Sequence, residues 1–223
     1  MIRTERLVLR RWRTDDKRAF AALNDDPEVM RHMPRRLDRV ESDAWADAIE
    51  HEFMRDGFGL WALELPGKAS FIGFTGLNRV GFAASFTPAV EIGWRLAPGF
   101  WGQGYATEAA RAAVRAGFRQ FGLQEIVAET SETNFASRRV MERLGMRHDP
   151  GADFDHPQIA LGHPFRRYVL YRLHPTRDPE PNPQQGCGRH PDRSPAFVPD
   201  SAGSTPYMPC VQANQGHANH DRG

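Results

Sequence analysis

The chain has 223 residues, 40% apolar and 26% charged, enough to bury one substantial core and short for two. Its 29 Lys and Arg against 28 Asp and Glu leave a net charge of +1, so no bulk field exists to hold a nucleic acid or an anionic bilayer, and any partner must be met by a local site. No run approaches the roughly 18 apolar residues a membrane helix needs, and the charged start MIRTERLVLRRW lacks a signal peptide's apolar stretch, which predicts a cytoplasmic protein away from membranes.

Residues 7–12 predict a first strand, and Thr14, Asp15 and Asp16 supply an N-cap and acidic first turn for a helix to about Leu23. Over residues 42–54 Trp45, Ile49 and Phe53 recur at i, i+4 and i+8, one apolar stripe on a second helix that stops at Gly57. Trp12, Trp45 and Trp61 read as core aromatics, and His32 and His51 as surface residues. Residues 60–65 and 71–78 are apolar runs flanking Pro66, Gly67 and Lys68, the turn chemistry of a hairpin. Residues 89–96 form a further strand with Val90, Ile92 and Trp94 on one face and Glu91, Gly93 and Arg95 on the other.

The segment after that strand, APGFWGQGYATEA, combines two glycines with small apolar residues in helical period from Ala106. Strand, glycine loop and helix together suit an anion: Gly102 and Gly104 let backbone N–H groups turn inward, and the helix N-terminus adds roughly half a positive charge. A P-loop is excluded because the segment holds no Lys, and a dinucleotide fingerprint fails because Thr107 stands at its third glycine. A structural turn without a ligand fits the two glycines equally well, and the flanking segments decide between these readings.

With those flanks the chain resembles the GNAT family of acetyl-CoA-dependent N-acyltransferases. The family's phosphate loop follows its fourth strand, and Trp101-Gly102-Gln103-Gly104-Tyr105-Ala106 matches it apart from Trp101, where Arg or Gln is usual. An aromatic before GxGYATEA is similar to the branch of ribosomal-protein N-terminal acetyltransferases. The likeness continues through a strand at residues 126–130 and through NFASRRVMERLGM, residues 134–146, which fits that branch's NxxSxxVxExxGF pattern with Met146 for Phe. It covers nearly all of residues 1–173 and implies one α/β domain: a mixed, mostly antiparallel sheet with its fourth and fifth strands splayed apart, flanked by helices.

The resemblance further implies an enzyme, an N-acetyltransferase that moves the acetyl group of acetyl-CoA to a primary amine by direct transfer in a ternary complex, with no metal. The acceptor is a protein N-terminal α-amine or a small-molecule amine, and a monomer or a homodimer fits equally. The coenzyme's arm would pair with the splayed strand at Trp94, Arg95 and Leu96. Its diphosphate would lie on Trp101, Gly102, Gln103, Gly104, Tyr105, Ala106 and Thr107, with Asn134 and Ser137 contacting it from the next helix. Glu91 is the candidate base, against the competing reading of a carboxylate paired with Arg95. Ser137 is the candidate acid for the departing sulfur, because the position where many relatives carry Tyr is Met141 here; Asn134 also reads as that helix's N-cap and Gly145 as its C′ residue. The Trp101 and Met141 departures keep an alternative open, a CoA-binding regulatory or scaffold module with weak catalysis.

His148, Asp149, Asp153, Asp155, His156 and His163 cluster before a last strand at residues 168–173, without the spacing that fixes a metal's ligand directions; they read as a polar loop near the acceptor mouth. Residues 174–223 hold nine of the 17 prolines, four of the nine histidines, Cys187 and Cys210, and show no periodicity. They predict a disordered Pro/Gly/His-containing tail.

Overall fold

In the computed structural model residues 1–175 are described, so the tail beyond Pro175 and both cysteines lie outside them. The elements are β1 (Ile2–Arg3), β2 (Val8–Arg10), α1 (Asp16–Asp25), α2 (Arg39–Asp56), β3 (Leu60–Leu65), β4 (Ala69–Arg79), β5 (Val90–Leu96), α3 (Tyr105–Arg119), β6 (Ile126–Ser131), α4 (Phe135–Arg143), β7 (Arg147–His148), β8 (Phe154–Asp155) and β9 (Arg167–Leu173). Among the described residues nine strands form one sheet in the order β1-β2-β3-β4-β5-β6-β9-β7, with β8 added to β9. Every pairing is antiparallel except that of β5 with β6. This is the mixed α/β architecture the sequence predicts.

Local chemistry explains where the elements begin. Asp38 and Glu41 close a reciprocal capping box at the start of α2, satisfying two of the amides a helix leaves open. Ala46, Ile49 and Phe53 then face inward, and Gly57 ends the helix at φ 76°. The start of α1 differs from expectation, because Asp15 makes no side-chain cap bond. Asp16 takes the Arg13 amide at 2.7 Å and both ends of the Arg10 guanidinium at 2.7 and 2.8 Å. Arg10 and Asp16 are both buried, and a buried ion pair holds only with this kind of bidentate geometry. The first turn of α1 is thereby tied to β2.

Helices cover both faces of the sheet. Phe20 of α1 and Trp45 of α2 pack on Phe74 of β4 at 5.8 and 5.6 Å between ring centres. On the other face α3 lies so close that a Cβ at Gly117 would sit 2.8 Å from Ile126 and 3.0 Å from Leu77. Trp12 and Trp45 pack at the edge of this core and Trp61 inside it. A smaller apolar cluster of Phe86, Val127, Ala152 and Leu170 closes the α1/α2 side beyond β6. None of the described helices is long and apolar enough to cross a membrane.

Candidate active site

The single parallel pairing opens the sheet. β4 and β5 pair along their length, Gly73↔Leu96 to Arg79↔Val90, whereas β5 and β6 share one registered pair, Glu91↔Val127, before they part. Antiparallel ladders alternate bonded and non-bonded pairs. Ala97 donates to the Ile72 carbonyl at 3.0 Å, so Leu96 and Trp94 turn their backbone groups away from β4, into the space that β6 vacates. Arg95 falls out of phase: its backbone faces Phe74 of β4, which removes it from the main-chain edge assigned to it from sequence. The Leu96 carbonyl accepts the Trp101 indole N–H at 2.7 Å, leaving the Leu96 amide and both Trp94 groups at the opening.

Both strands of this pair run into a helix at their carboxyl ends, β5 into α3 and β6 into α4. Two helix N-termini therefore converge on the opening, at the kind of switch point where open α/β sheets place ligands. The loop before α3 turns on Gly102 at φ 73° and Gly104 at φ 81°, conformations that cost a side chain strain. Gly102, Gln103 and Gly104 are exposed, and no atom lies within 4 Å of a Cβ built on Gly102. The first amides of α3, on Tyr105, Ala106 and Thr107, have no intrahelical acceptor. The Trp94 indole N–H, buried in the core, has no acceptor among the described residues. The exposed loop and the open amides of the first turn of α3 suit an anionic group. Two loop residues serve from behind instead: Trp101 pins the loop to β5, and the Tyr105 ring is buried with the Arg6 guanidinium 4.6 Å above it.

The two candidate chemical groups lie on opposite faces of the opening. Glu91 stands where the strands separate, wholly buried, with Oε1 accepting from Asn78 Nδ2 at 2.7 Å. It shares the α1/α2 face with Arg95, which donates to Asn24 at 2.6 Å and lies over the Trp45 and Phe74 rings. Glu129 of β6 and Tyr168 of β9 complete this polar cluster, both buried. Burial, then the charges of Glu129 and Glu91, hold the Tyr168 phenol well above its ordinary range against the opposing pull of Arg95, so it stays protonated and able to donate. Ser137 is on the α4 side, buried in the first turn, where Asn134 caps the helix by accepting the Ser137 amide at 3.2 Å. Asn134 is itself fixed by donation to Thr130 at 3.0 Å.

The sequence reading grouped His156 with the polar loop near the acceptor mouth and gave it no part of its own. His156 is 1% exposed, packed on Phe82 at 4.6 Å and Tyr168 at 5.0 Å, with Nε2 4.0 Å from the Glu129 carboxylate. Its amide donates to the Arg166 carbonyl at 2.8 Å, which folds the loop back under β9. Burial, aided by the charge of Arg166, lowers its pKa from 6.5 to about 4. Above 6.5 the ring is neutral folded or unfolded; between 6.5 and about 4 only the unfolded chain takes up the proton. Stability is thus expected to fall with pH across that window by roughly 2–3 kcal/mol. Denaturant midpoints at pH 7 and 4.5 in the wild type and His156→Gln check this, the substitution flattening that part of the slope.

The other loop histidines and acids engage neighbours, His148 with Asp153 at 2.9 Å, and no group of three or more metal-binding side chains converges among the described residues.

Comparison with known proteins agrees with this architecture. Residues 6–147 match the model of the acetyltransferase (GNAT) domain family. The chain is 38% identical over 136 residues to the FsC-acetyl coenzyme A-N(2)-transacetylase of Aspergillus fumigatus, a match spanning 56% of each protein. The crystal structure of an acetyltransferase from Agrobacterium tumefaciens superposes with a TM-score of 0.65 at 29% identity, covering 78% of this chain and 94% of that one. The fold also matches RimL, a ribosomal-protein alpha-N-acetyltransferase in complex with coenzyme A, with a TM-score of 0.62 at 16% identity over 77% of this chain and 95% of that one.

Proposed function

The chain belongs to the GNAT acetyltransferase family, and on that premise we propose that it moves the acetyl group of acetyl-CoA to a primary amine by direct transfer, with coenzyme and acceptor bound together. The carrying observation is the parting of β5 and β6 after one registered pair, with two helix N-termini at its mouth. Acetyl-CoA brings an activated thioester, so the protein has only to position, polarise and move protons. The Trp94 backbone and the Leu96 amide would pair with the pantetheine arm as a further strand would. Gly102 to Thr107 would hold the diphosphate on main-chain amides.

In this reading Glu91 takes the amine proton on the α1/α2 face, and Ser137 assists the departing sulfur from α4. Met30 and Met33, buried between α1 and α2, belong to the wall facing the acceptor. The resemblance of GQGYATEA and NFASRRVMERLGM to the ribosomal-protein branch favours an N-terminal α-amine. Physical chemistry supports the same choice. At pH 7 removing the proton costs about 1 kcal/mol for an α-amine and about 5 for a lysine, so a buried carboxylate suffices more easily for the former.

Thiol release from acetyl-CoA across a panel of peptides and small amines tests the reading: turnover with an amine supports it, and coenzyme binding without turnover on any amine overturns it in favour of a regulatory module. Ser137→Ala is expected to lower kcat by up to about 100-fold with little change in KM for acetyl-CoA. An equal fall in kcat with a donor whose leaving thiol is already acidic would remove Ser137 as the acid.

A further inference from the structure

The first turn of α3 carries a carboxylate, Glu108, at the helix end that the coenzyme reading above, on which this inference rests, assigns to a diphosphate. A negative charge there would compete for the same amides. The structure turns it away. Thr4 Oγ1 donates to Glu108 Oε1 at 2.6 Å, the Arg6 amide to the same oxygen at 2.9 Å, and Arg6 Nε to Oε2 at 2.6 Å. The second fork of the guanidinium also lies 2.6 Å from Oε2. All come from the β1–β2 turn, remote in sequence and outside every motif read from it. Burial raises the Glu108 carboxyl, but the Thr4 and Arg6 donors together outweigh it and leave the group below its usual range, hence ionised and committed to the turn.

The same guanidinium holds the loop itself. Arg6 Nη1 donates to the Gln103 carbonyl at 2.9 Å, and Arg6 Nη2 is the nearest atom, 3.4 Å away, to a Cβ built on Gly104. A trans peptide points its C=O and N–H in opposite directions. Drawing the Gln103 oxygen toward Arg6 therefore drives the Gly104 N–H the other way. The Tyr105 ring beneath the guanidinium fixes its plane.

We propose that Arg6 is a positioning residue for the diphosphate end of the coenzyme: it keeps the Glu108 carboxylate off the loop mouth and sets the Gln103–Gly104 peptide so that its N–H faces the ligand. The loop from Trp101 to Thr107 holds no cation of its own, and Arg6 supplies its order from another part of the chain.

Calorimetry and kinetics on the full-length chain test this with coenzyme A, acetyl-CoA and S-acetylpantetheine, which has the arm without the diphosphate. Arg6→Ala is expected to raise Kd for coenzyme A about tenfold, the scale of one charge-assisted hydrogen bond. It should lower the ratio of kcat/KM for acetyl-CoA over S-acetylpantetheine by the same factor. Glu108→Gln added to Arg6→Ala should recover the part of the loss that comes from the released carboxylate, and Arg6→Lys, which keeps charge without the fork, should fall between; it also serves as the probe should Arg6→Ala fail to fold. An unchanged Kd in Arg6→Ala, an equal loss with both donors, or no recovery in the double variant overturns the proposal alone. No binding of coenzyme A by the wild type overturns the coenzyme reading, and the proposal with it.

Discussion

Glu91→Gln is expected to cut turnover at least about 20-fold at pH 6.5 and only a few-fold at pH 9. The size follows from the acceptor. An α-amine near pKa 7.7–8.0 is about one-twentieth deprotonated at pH 6.5, so an enzyme without its base still captures that fraction; a lysine-like amine near 10.4 leaves about one molecule in 10⁴. At pH 9 the α-amine is mostly neutral before it attacks, so the base need take only the proton lost as the amide forms and contributes less. The substitution is conservative for the fold, because the Gln oxygen can still accept from Asn78, which now lies 2.7 Å from Glu91 Oε1. A pH–rate series with a peptide α-amine and an alkylamine of similar size thus reads two things at once. A loss near 20-fold with the peptide and above about 10³-fold with the alkylamine supports Glu91 as base. A flat response across pH removes it, and leaves Glu91 as a buried structural carboxylate beside Arg95 and Asn78.

Most of the frame was legible because its elements carry long periodic signals. The Trp45, Ile49 and Phe53 stripe marked α2, the Pro-Gly-Lys turn marked the β3–β4 hairpin, and the glycines before Tyr105 marked the α3 loop. β1, β7 and β8 escaped notice for a physical reason: each is two residues long, too short for a period, and exists because β2 or β9 offers it an edge. The cap of α1 was misplaced because Asp16 is claimed by Arg10, a contact that local sequence does not encode. The same limit hid part of the site. Glu91 stood out on an apolar strand, but Glu129 and His156 join it only through the β6–β9 pairing and a loop folded under β9. Arg6 lies about a hundred residues from the carboxylate it holds. Pattern reading finds elements and motifs, whereas the partners of a motif are set by topology.

The opening between β5 and β6 depends on how closely β4 approaches β5, which is why Gly73→Ala should be among the most damaging single methyls in the described residues. Gly73 has φ 139° and sits beside the register shift of the β3–β4 hairpin. Its Cβ would lie 2.7 Å from the Leu96 Cα and closer still to the Arg95 carbonyl oxygen, both backbone atoms that can yield only if the strands separate. Strain at such a dihedral costs about 1–3 kcal/mol and forced overpacking about 1–3 more, so a loss near 4 kcal/mol is expected, a large part of a domain's usual 5–15. Gly67→Ala isolates the dihedral: φ is 75°, no atom lies within 4 Å of its Cβ, and about 1–2 kcal/mol is expected. For a chain of this size the melting temperature should fall by roughly 8–16 °C in Gly73→Ala and by roughly 2–8 °C in Gly67→Ala. In whatever Gly73→Ala protein folds, displaced Leu96 should also weaken the hold on the pantetheine arm, raising KM for acetyl-CoA in a way that Gly67→Ala does not. Equal melting losses in the two variants would mean that β4 tolerates a methyl against β5, and that the approach of these strands is not what places Leu96 at the opening.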